Sequence, residues 1–184
     1  LDVAASHLYD PGREAYSVEG RWLKRDELMK YYQELARDYR IISIEDPLHE
    51  DDFEGFAIIT RELGIQIVGD DLFATNPSRI RRGAEVGAAN ALLCKVNQIG
   101  TLTEALTAAE MAKRRGFGLV VSERSGETED DMIADICVGL NAGQIKTGAP
   151  VRGERTSKYN RLLQIEEDLG SDAVYAGHDF RKPV

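Results

Sequence analysis

Six short apolar or β-branched runs, each ending in a charged residue, recur along the chain. They are LDVAAS, RIISIEDP, IQIVGDDL, ALLCKVNQ, GLVVSERSG and GQIKTG. From the second run onward the charged residues are 23 to 28 positions apart, which is about the length of one strand, one helix and two loops. The pattern predicts repeated βα units, as in a parallel α/β barrel whose chemistry lies at the carboxyl ends of the strands.

Amphipathic periodicity and helix-capping residues predict helices between these runs. Apolar side chains at spacings of three and four indicate one helical face, and proline after an Asx residue or a Thr/Glu capping box indicates a helix start. The predicted helices are residues 22–39, one starting at Asn76-Pro77, one starting at Thr101 with Glu104, one starting at Thr128, and residues 154–169 followed by Gly170. The tail, residues 171–184, has no clear period and is expected to be a loop.

Residues 1–184 are interpreted as one domain, because no linker or low-complexity tract divides them. The composition, 42% hydrophobic and 30% charged, is ordinary for a folded globular protein. About six βα units do not close an eight-stranded barrel, and Leu1 is expected to begin in the middle or at the end of a strand whose earlier residues are absent. We therefore expect a barrel that is incomplete at the N-terminus and is completed by a longer parent chain or by another chain.

Charge and hydropathy exclude several classes of function. The net charge of −9 and a pI near 4.9 argue against nonspecific binding to nucleic acid, and an anionic substrate would need local cations. There is no apolar run of about 18 residues and no secretory signal, so we expect no membrane span and a cytoplasmic location. Cys94 and Cys137 are interpreted as reduced core residues. No Ser-His-Asp order, nucleotide-binding glycine loop or zinc spacing is present.

The charged residues after the runs suggest a metal site with a basic group beside it. Asp2, Glu45 and Asp70 offer the carboxylate oxygens that Mg²⁺ prefers, although each could instead be a salt-bridge partner. Lys95 ends a buried run, where a lysine is costly unless it is paired or functional. It could act as a base near a metal, and the alternative is an ion pair with Asp70 or Asp71.

A short loop, SERSGE, has the features of a phosphate cradle. Arg124 provides a planar fork of donors and Ser125 a hydroxyl, and the loop leads toward the helix predicted at Thr128. The motif alone has low specificity.

Motifs along the whole chain resemble the enolase family, phosphopyruvate hydratase. They are SIEDP at 43–47, EDD at 50–52, GDDL at 69–72, KVNQIGT at 95–101, RSGETED at 124–130, IKTGAP at 145–150 and KYNRLLQIEE at 158–167. The resemblance covers most of that family's C-terminal barrel. It implies a TIM-type (β/α) barrel of the enolase superfamily and a Mg²⁺-dependent hydro-lyase that reversibly dehydrates 2-phospho-D-glycerate to phosphoenolpyruvate in glycolysis.

The resemblance also implies roles for individual residues. Asp2, Glu45 and Asp70 correspond to the three metal ligands of the family, and Lys95 corresponds to the lysine that removes the proton α to the substrate carboxylate. The residues implied to bind the substrate are Lys146 at its carboxylate, and Arg124 and Ser125 at its phosphate. Asp71 is expected to orient its neighbours and not to bind metal.

Glu123 departs from the family, which has histidine immediately before the Arg-Ser pair. A like-charge pair at 4 Å costs about 1 kcal/mol in water and about 4 kcal/mol at an effective dielectric of 20. Glu123 could therefore weaken binding of a phosphorylated substrate, be protonated, or be neutralised by Arg124 or Lys146.

Two further expectations follow from the resemblance. The family's general acid and a mobile loop with a second-metal ligand lie upstream of the portion that this chain matches, so we expect these 184 residues alone to be inactive. The longer parent is expected to be a homo-oligomer that binds a small phosphorylated substrate. The alternatives are a catalytically impaired homologue that serves as a structural or binding module, and another acid-sugar dehydratase or racemase of the superfamily.

Overall fold

The computed structural model describes residues 1–181, which form an antiparallel sheet followed by a larger parallel sheet with helices between its strands. The antiparallel sheet comprises β1 (Tyr9–Asp10), β2 (Ala15–Val18) and β3 (Arg21–Leu23). The parallel sheet comprises, as neighbours in this order, β4 (Ser43–Glu45), β5 (Gln66–Gly69), β6 (Ala91–Cys94), β7 (Gly118–Ser122) and β8 (Ile145–Lys146). This is the strand, helix and parallel strand order of a barrel, and the sheet forms about half of one.

Seven α-helices are present in the described part of the chain. They are α1 (Arg25–Asp38), α2 (Phe53–Leu63), α3 (Pro77–Val86), α4 (Val96–Ile99), α5 (Leu102–Arg114), α6 (Met132–Gly139) and α7 (Gly153–Leu169). Short 3₁₀ helices lie at Ala5–Leu8, Gly170–Asp172 and Gly177–Asp179. The tail that was expected to be a loop therefore contains two of these short turns, and residues 182–184 lie outside the described residues.

The parallel sheet has two distinct faces because successive side chains of a strand point to opposite sides. Leu92 and Cys94 of β6 belong to the large core cluster that the helices cover, whereas Ala91 and Leu93 belong to a small cluster of four buried residues. This small cluster occupies the concave side of the sheet.

An amide pair spans the concave side near the amino ends of the strands. The Gln66 Nε2 donates to Gln144 Oε1 at 2.8 Å, and the Gln144 Nε2 donates back to Gln66 Oε1 at 3.1 Å. Gln66 begins β5 and Gln144 immediately precedes β8, so side chains three strands apart are in contact. The sheet must be strongly curled for this contact to form.

Several helix boundaries agree with the capping residues in the sequence. The Asn76 side chain accepts from the Ser78 N–H at 2.8 Å, with Pro77 as the first residue of α3. The Thr101 hydroxyl accepts from the Glu104 N–H at 3.2 Å and starts α5. Gly170, at φ 54°, follows α7. These predicted ends are confirmed.

Five of the six predicted strands are confirmed, and of the first, LDVAAS, the structure shows only an end that pairs with β4, in line with the expectation that Leu1 begins in the middle or at the end of a strand. That segment forms only an isolated parallel bridge between Asp2 and Glu45. Ala4 has φ 47°, a left-handed conformation that ends extended structure, and a 3₁₀ turn follows at once.

Two helix starts were predicted too early. Trp22 pairs with Ser17 in the antiparallel sheet, so α1 starts at Arg25 and not at residue 22. The Thr128 hydroxyl accepts from the Asp130 N–H at 3.3 Å within a turn, and α6 starts only at Met132. In both places a local hydrogen-bonding alternative replaces the first helical turn.

Cys94 and Cys137 are both buried and free, as expected for core residues. Burial raises the pKa of each thiol to about 11. Between residues 1 and 181 no helix combines the length and the apolar character needed to cross a membrane.

Candidate active site at the carboxyl ends of the strands

The parallel strands bring most of the predicted site residues to one edge of the sheet. Glu45 and Lys146 are the last residues of β4 and β8, and Asp70, Lys95 and Glu123 immediately follow β5, β6 and β7. Asp2 joins the same edge through its bridge to Glu45. Because parallel strands end at the same edge, these charges converge.

On the β5 and β6 side, Lys95 is paired with Asp70. The Lys95 Nζ lies 2.6 Å from Asp70 Oδ2, and both side chains are less than 15% exposed, at 12% and 14%. The Gln98 Nε2 donates to the other oxygen, Asp70 Oδ1, at 2.9 Å. The buried Thr75 hydroxyl donates to Gln98 Oε1 at 2.8 Å and accepts from the Lys95 N–H at 3.1 Å. The ion pair weighed as the alternative for Lys95 is thus present and is fixed by uncharged neighbours.

On the β4 and β8 side, one lysine contacts two carboxylates. The Lys146 Nζ lies 2.7 Å from Asp2 Oδ2 and 2.8 Å from Glu45 Oε1. Burial would lower the pKa of Lys146, but its bonds to Asp2 and Glu45 outweigh burial and raise that pKa. Burial raises the pKa of Glu45 in spite of Lys146. The raised pKa of Glu45 favours its neutral form, whereas the raised pKa of Lys146 indicates a charged partner beside it. The contact of 2.8 Å between Lys146 Nζ and Glu45 Oε1 favours the ionised carboxylate.

A cavity of about 380 Å³ opens between these groups. Six of the eight predicted site residues line it, and Ser122, Gly148 and Arg155 complete the lining. The six are Asp2, Lys95, Glu123, Arg124, Ser125 and Lys146. The other two, Glu45 and Asp70, are joined to the lining lysines by the ion pairs described above. The cavity therefore contains a lysine base candidate, further cations and an acidic wall.

Arg124 and Ser125 are exposed in the loop after β7. The Arg124 N–H donates to Glu127 Oε1 at 3.1 Å, and its guanidinium reaches Asn97 Oδ1 at 3.4 Å. Glu127 is itself held at 3.2 Å by the fully buried Lys158, which also donates to the Thr128 carbonyl at 2.6 Å. Sequence reasoning did not assign Lys158, although it lies on the apolar side of a predicted helix, where a charge requires partners.

Glu123 lies at ion-pair distance from a residue that sequence reasoning did not identify. Its Oε1 lies 3.7 Å from Arg155 Nε, and its Oε2 accepts from the Thr147 hydroxyl at 3.3 Å. Burial raises the pKa of the Glu123 carboxyl. The partners expected from the sequence, Arg124 and Lys146, instead contact Asn97 and the carboxylates of Asp2 and Glu45.

Asp46 is a second feature that the sequence did not reveal as special. It is 2% exposed, and its two oxygens accept from the N–H groups of Asp70 at 3.0 Å and Asp71 at 2.7 Å. Burial raises the pKa of Asp46 to about 7. Its left-handed φ of 42° turns the chain after β4 so that this cross-link to the loop after β5 can form. The only sign of this role in the sequence was that Asp46 follows Glu45 in the motif SIEDP.

The donors at this edge suit a hard divalent cation. Asp2, Glu45 and Asp70 provide carboxylate oxygens, the ligand type that Mg²⁺ prefers. Within residues 1–181, the group of three acidic side chains whose carboxylate oxygens all lie within 4.8 Å of one another is Asp46, Asp70 and Asp71. The implied set of Asp2, Glu45 and Asp70 is more widely spaced, with Lys146 between the first two.

Comparison with known proteins gives one consistent result. The family model "Enolase, C-terminal TIM barrel domain" matches residues 1–184. Proteins named Enolase from Methanocaldococcus jannaschii, Thermococcus gammatolerans and Pyrococcus furiosus are 64%, 63% and 61% identical to the chain. The matches cover 99 to 100% of the chain and 43% of each relative. The chain thus spans less than half the length of these curated relatives.

Proposed function

This chain belongs to the enolase family, and from that premise we propose that its full-length protein reversibly dehydrates 2-phospho-D-glycerate to phosphoenolpyruvate. The proposal makes the protein a hydro-lyase of glycolysis that uses Mg²⁺ in the cytoplasm. The observation that carries it is the cavity of about 380 Å³, which is lined by five residues that match the family, Asp2, Lys95, Arg124, Ser125 and Lys146, together with Glu123. Chemistry at the carboxyl ends of parallel strands is typical of such barrels.

Lys95 is the proposed base. Its Nζ lines the cavity and is held by Asp70 at 2.6 Å. To act as the base, Lys95 would first release its own ammonium proton and its contact with Asp70, and the neutral amine would then take the proton from the carbon next to the substrate carboxylate. The Lys95 Nζ donates to Asp70 Oδ2, and the amide of Gln98 holds Asp70 by donating to its other oxygen, so the end of the lysine side chain is fixed. A base held in place needs little reorganisation before it accepts the proton.

Cations at the cavity wall are proposed to bind the two anionic groups of the substrate. Arg124 and Ser125 would hold the phosphate, because a planar guanidinium and a hydroxyl match its oxygens. Lys146 would contact the substrate carboxylate. All three residues line the cavity.

Asp2, Glu45 and Asp70 are the proposed Mg²⁺ ligands. When bound, Mg²⁺ stabilises the charge that develops on the substrate carboxylate. In the structure these carboxylates contact the two lysines: Asp70 pairs with Lys95 on one side of the cavity, and Asp2 and Glu45 pair with Lys146 on the other.

The test measures phosphoenolpyruvate formation by ultraviolet absorbance with the purified full-length protein, 2-phosphoglycerate and Mg²⁺. We expect turnover by the natural protein. Turnover only by the Glu123→His variant would identify a catalytically impaired homologue, whereas no turnover by either, with both proteins folded, would contradict the proposed activity. Light scattering on the same sample tests the proposed homo-oligomer.

The 184 residues alone are proposed to be inactive, because the family's general acid and second-metal loop belong to the portion that the chain does not match. Measurable dehydration by this purified segment would contradict that proposal.

A further inference from the structure

The carboxylate of Glu123 occupies an unfavourable position for an anion-binding cavity. Its side chain is only 8% exposed and lines the cavity next to Arg124 and Ser125. A phosphorylated ligand held by those two residues would lie close to a buried negative charge. Such a charge weakens binding unless a cation compensates it.

Burial raises the pKa of Glu123, whereas Lys158 and Arg155 both lower it, and the cation that lies at ion-pair distance from Glu123 is Arg155, on the first turn of α7. Its Nε lies 3.7 Å from Glu123 Oε1, and its own side chain is 23% exposed. The other nearby cations have closer partners. Lys146 contacts Asp2 and Glu45 at 2.7 and 2.8 Å. Lys158 contacts Glu127 at 3.2 Å and two backbone carbonyls at 2.6 Å.

Gly148 provides the space in which Glu123 and Arg155 meet. A Cβ built at this position would lie 2.6 Å from Arg155 Cδ and 2.8 Å from Glu123 Oε1, and φ is +75°. The hydroxyl of Tyr159, one turn further along α7, donates to the Gly148 carbonyl. The loop after β8 is therefore anchored to the helix that carries Arg155, which fixes the guanidinium at the cavity wall.

We propose that Arg155 is a positioning residue for anionic ligands: it neutralises Glu123 and so allows a phosphate to bind at Arg124 and Ser125. This inference rests on the proposed function for the identity of the ligand. Arg155 acts through Glu123 and not through its own contact with the substrate. The chain thus carries a linked pair, Glu123 and Arg155, at a position where the family has histidine.

The test is a double-mutant cycle in the full-length protein with Mg²⁺. Calorimetry gives the dissociation constant of phosphoenolpyruvate, and initial rates give KM and kcat for 2-phosphoglycerate. We expect Arg155→Gln to raise the dissociation constant and KM about tenfold, the size of a partly screened like-charge contact. The kcat should change less than about threefold, because Arg155 is not expected to contact the reacting atoms.

The cycle separates the proposed role from a direct one. In Glu123→Gln no carboxylate needs neutralising, so adding Arg155→Gln should change the dissociation constant less than about threefold. Arg155→Lys, which keeps the charge, should bind within about threefold of the natural protein. A double variant as weak as Arg155→Gln alone would overturn the proposal, as would an Arg155→Gln variant with unchanged affinity.

Arg161→Gln is the matched control on the same helix, because Arg161 pairs with Asp135 at 2.6 Å outside the cavity. It should bind phosphoenolpyruvate like the natural protein. Thermal melting tests whether each variant is folded. If Arg155→Gln does not fold, the dissociation constants of the double variant and of Arg155→Lys test the proposal in its place. Phosphoenolpyruvate binding without turnover would overturn only the proposed function, whereas no binding by the natural protein would overturn both.

Discussion

The two sides of the cavity hold their lysines in different ways. On the β5 and β6 side, Lys95 has one carboxylate partner, and that partner is fixed by an amide, with both charged side chains less than 15% exposed. On the β4 and β8 side, Lys146 contacts two carboxylates. Its side chain is 38% exposed, and that of its partner Asp2 is 46% exposed. The first arrangement restricts a single group, and the second leaves a cation accessible to solvent and ligand.

This difference matches the two roles proposed for the lysines. A base must approach one carbon in a fixed geometry, so restriction is useful to it. A residue that contacts an anionic group must exchange its protein partners for ligand oxygens, so partial exposure is useful there. The comparison yields four predictions.

The largest effect is expected from removing the two lysines of the full-length protein in turn. Lys95→Ala should lower kcat by about 10² to 10⁴-fold, the usual contribution of a positioned base, whereas Lys146→Ala should act mainly by raising KM. Steady-state rates with 2-phosphoglycerate measure both constants. The exposed Lys30 on α1 provides a control, Lys30→Ala, with unchanged kinetics. Equal effects of the two lysines on kcat would remove the distinction between the sides.

The next effect concerns the cross-link between the two sides. Asp46→Ala should lower the free energy of unfolding by about 2 to 4 kcal/mol, because the N–H groups of Asp70 and Asp71 lose their buried acceptor. Urea titration measures the change. Asp46→Asn keeps an acceptor oxygen and should lose less. A stable Asp46→Ala protein would mean that water replaces the carboxylate.

The amide on the Lys95 side gives a smaller effect. Gln98→Leu should lower the free energy of unfolding by about 1 to 2 kcal/mol, because Asp70 Oδ1 loses a partly buried donor. Gln33→Leu is the matched control, since Gln33 Nε2 donates to Glu62 at 2.7 Å on the exposed surface. There the loss should be within about 0.5 kcal/mol. Similar losses at both positions would contradict the importance of burial.

The smallest effect is expected at Asp2. Without Mg²⁺, Asp2→Asn should change the free energy of unfolding by less than about 0.5 kcal/mol, because its bond to Lys146 is exposed and Glu45 remains as a partner. Calorimetric titration of the same variant with Mg²⁺ should show weaker binding than in the natural protein. A large loss of stability would show that Asp2 supports the fold as well.

The repeating units could be predicted because strand and helix each leave a separate mark in the sequence. The runs before Glu45, Asp70, Lys95 and Glu123 became strands. The short antiparallel strands were missed, because strands of two to four residues have no measurable alternation. The turn residues Pro11-Gly12 and Glu19-Gly20 between them were the available signal.

Helix α2 was also not predicted, although its signals are clear in retrospect. Asp52 caps its first turn, accepting from the Gly55 N–H at 2.8 Å, and Gly64 ends it in the left-handed conformation at φ 62°. The buried Phe53, Phe56 and Ile59 follow the helical spacing.

At the site, the positions of charges along the chain predicted which residues meet, because strand order is enough for that. They gave the pairing of Lys95 with Asp70 as one of two alternatives, and they did not predict the partners of Glu123 and Asp46. The pairing of Glu123 with Arg155 depends on how α7 packs over the loop that contains Gly148. Asp46 accepts hydrogen bonds from two N–H groups because its own backbone is in the left-handed conformation. Such contacts arise from tertiary packing, and a single sequence has no periodic signal for them.

The reciprocal amide pair between Gln66 and Gln144 is a direct contact across the concave side of the curled sheet. It joins the start of β5 to the residue before β8, so it spans four neighbouring strands of the sheet. For protein engineering, this makes residues 43–146 a segment with built-in curvature. A symmetric barrel assembled from two such segments should retain both glutamines in each copy, since they provide a specific polar contact between β5 and β8 that apolar residues would not reproduce.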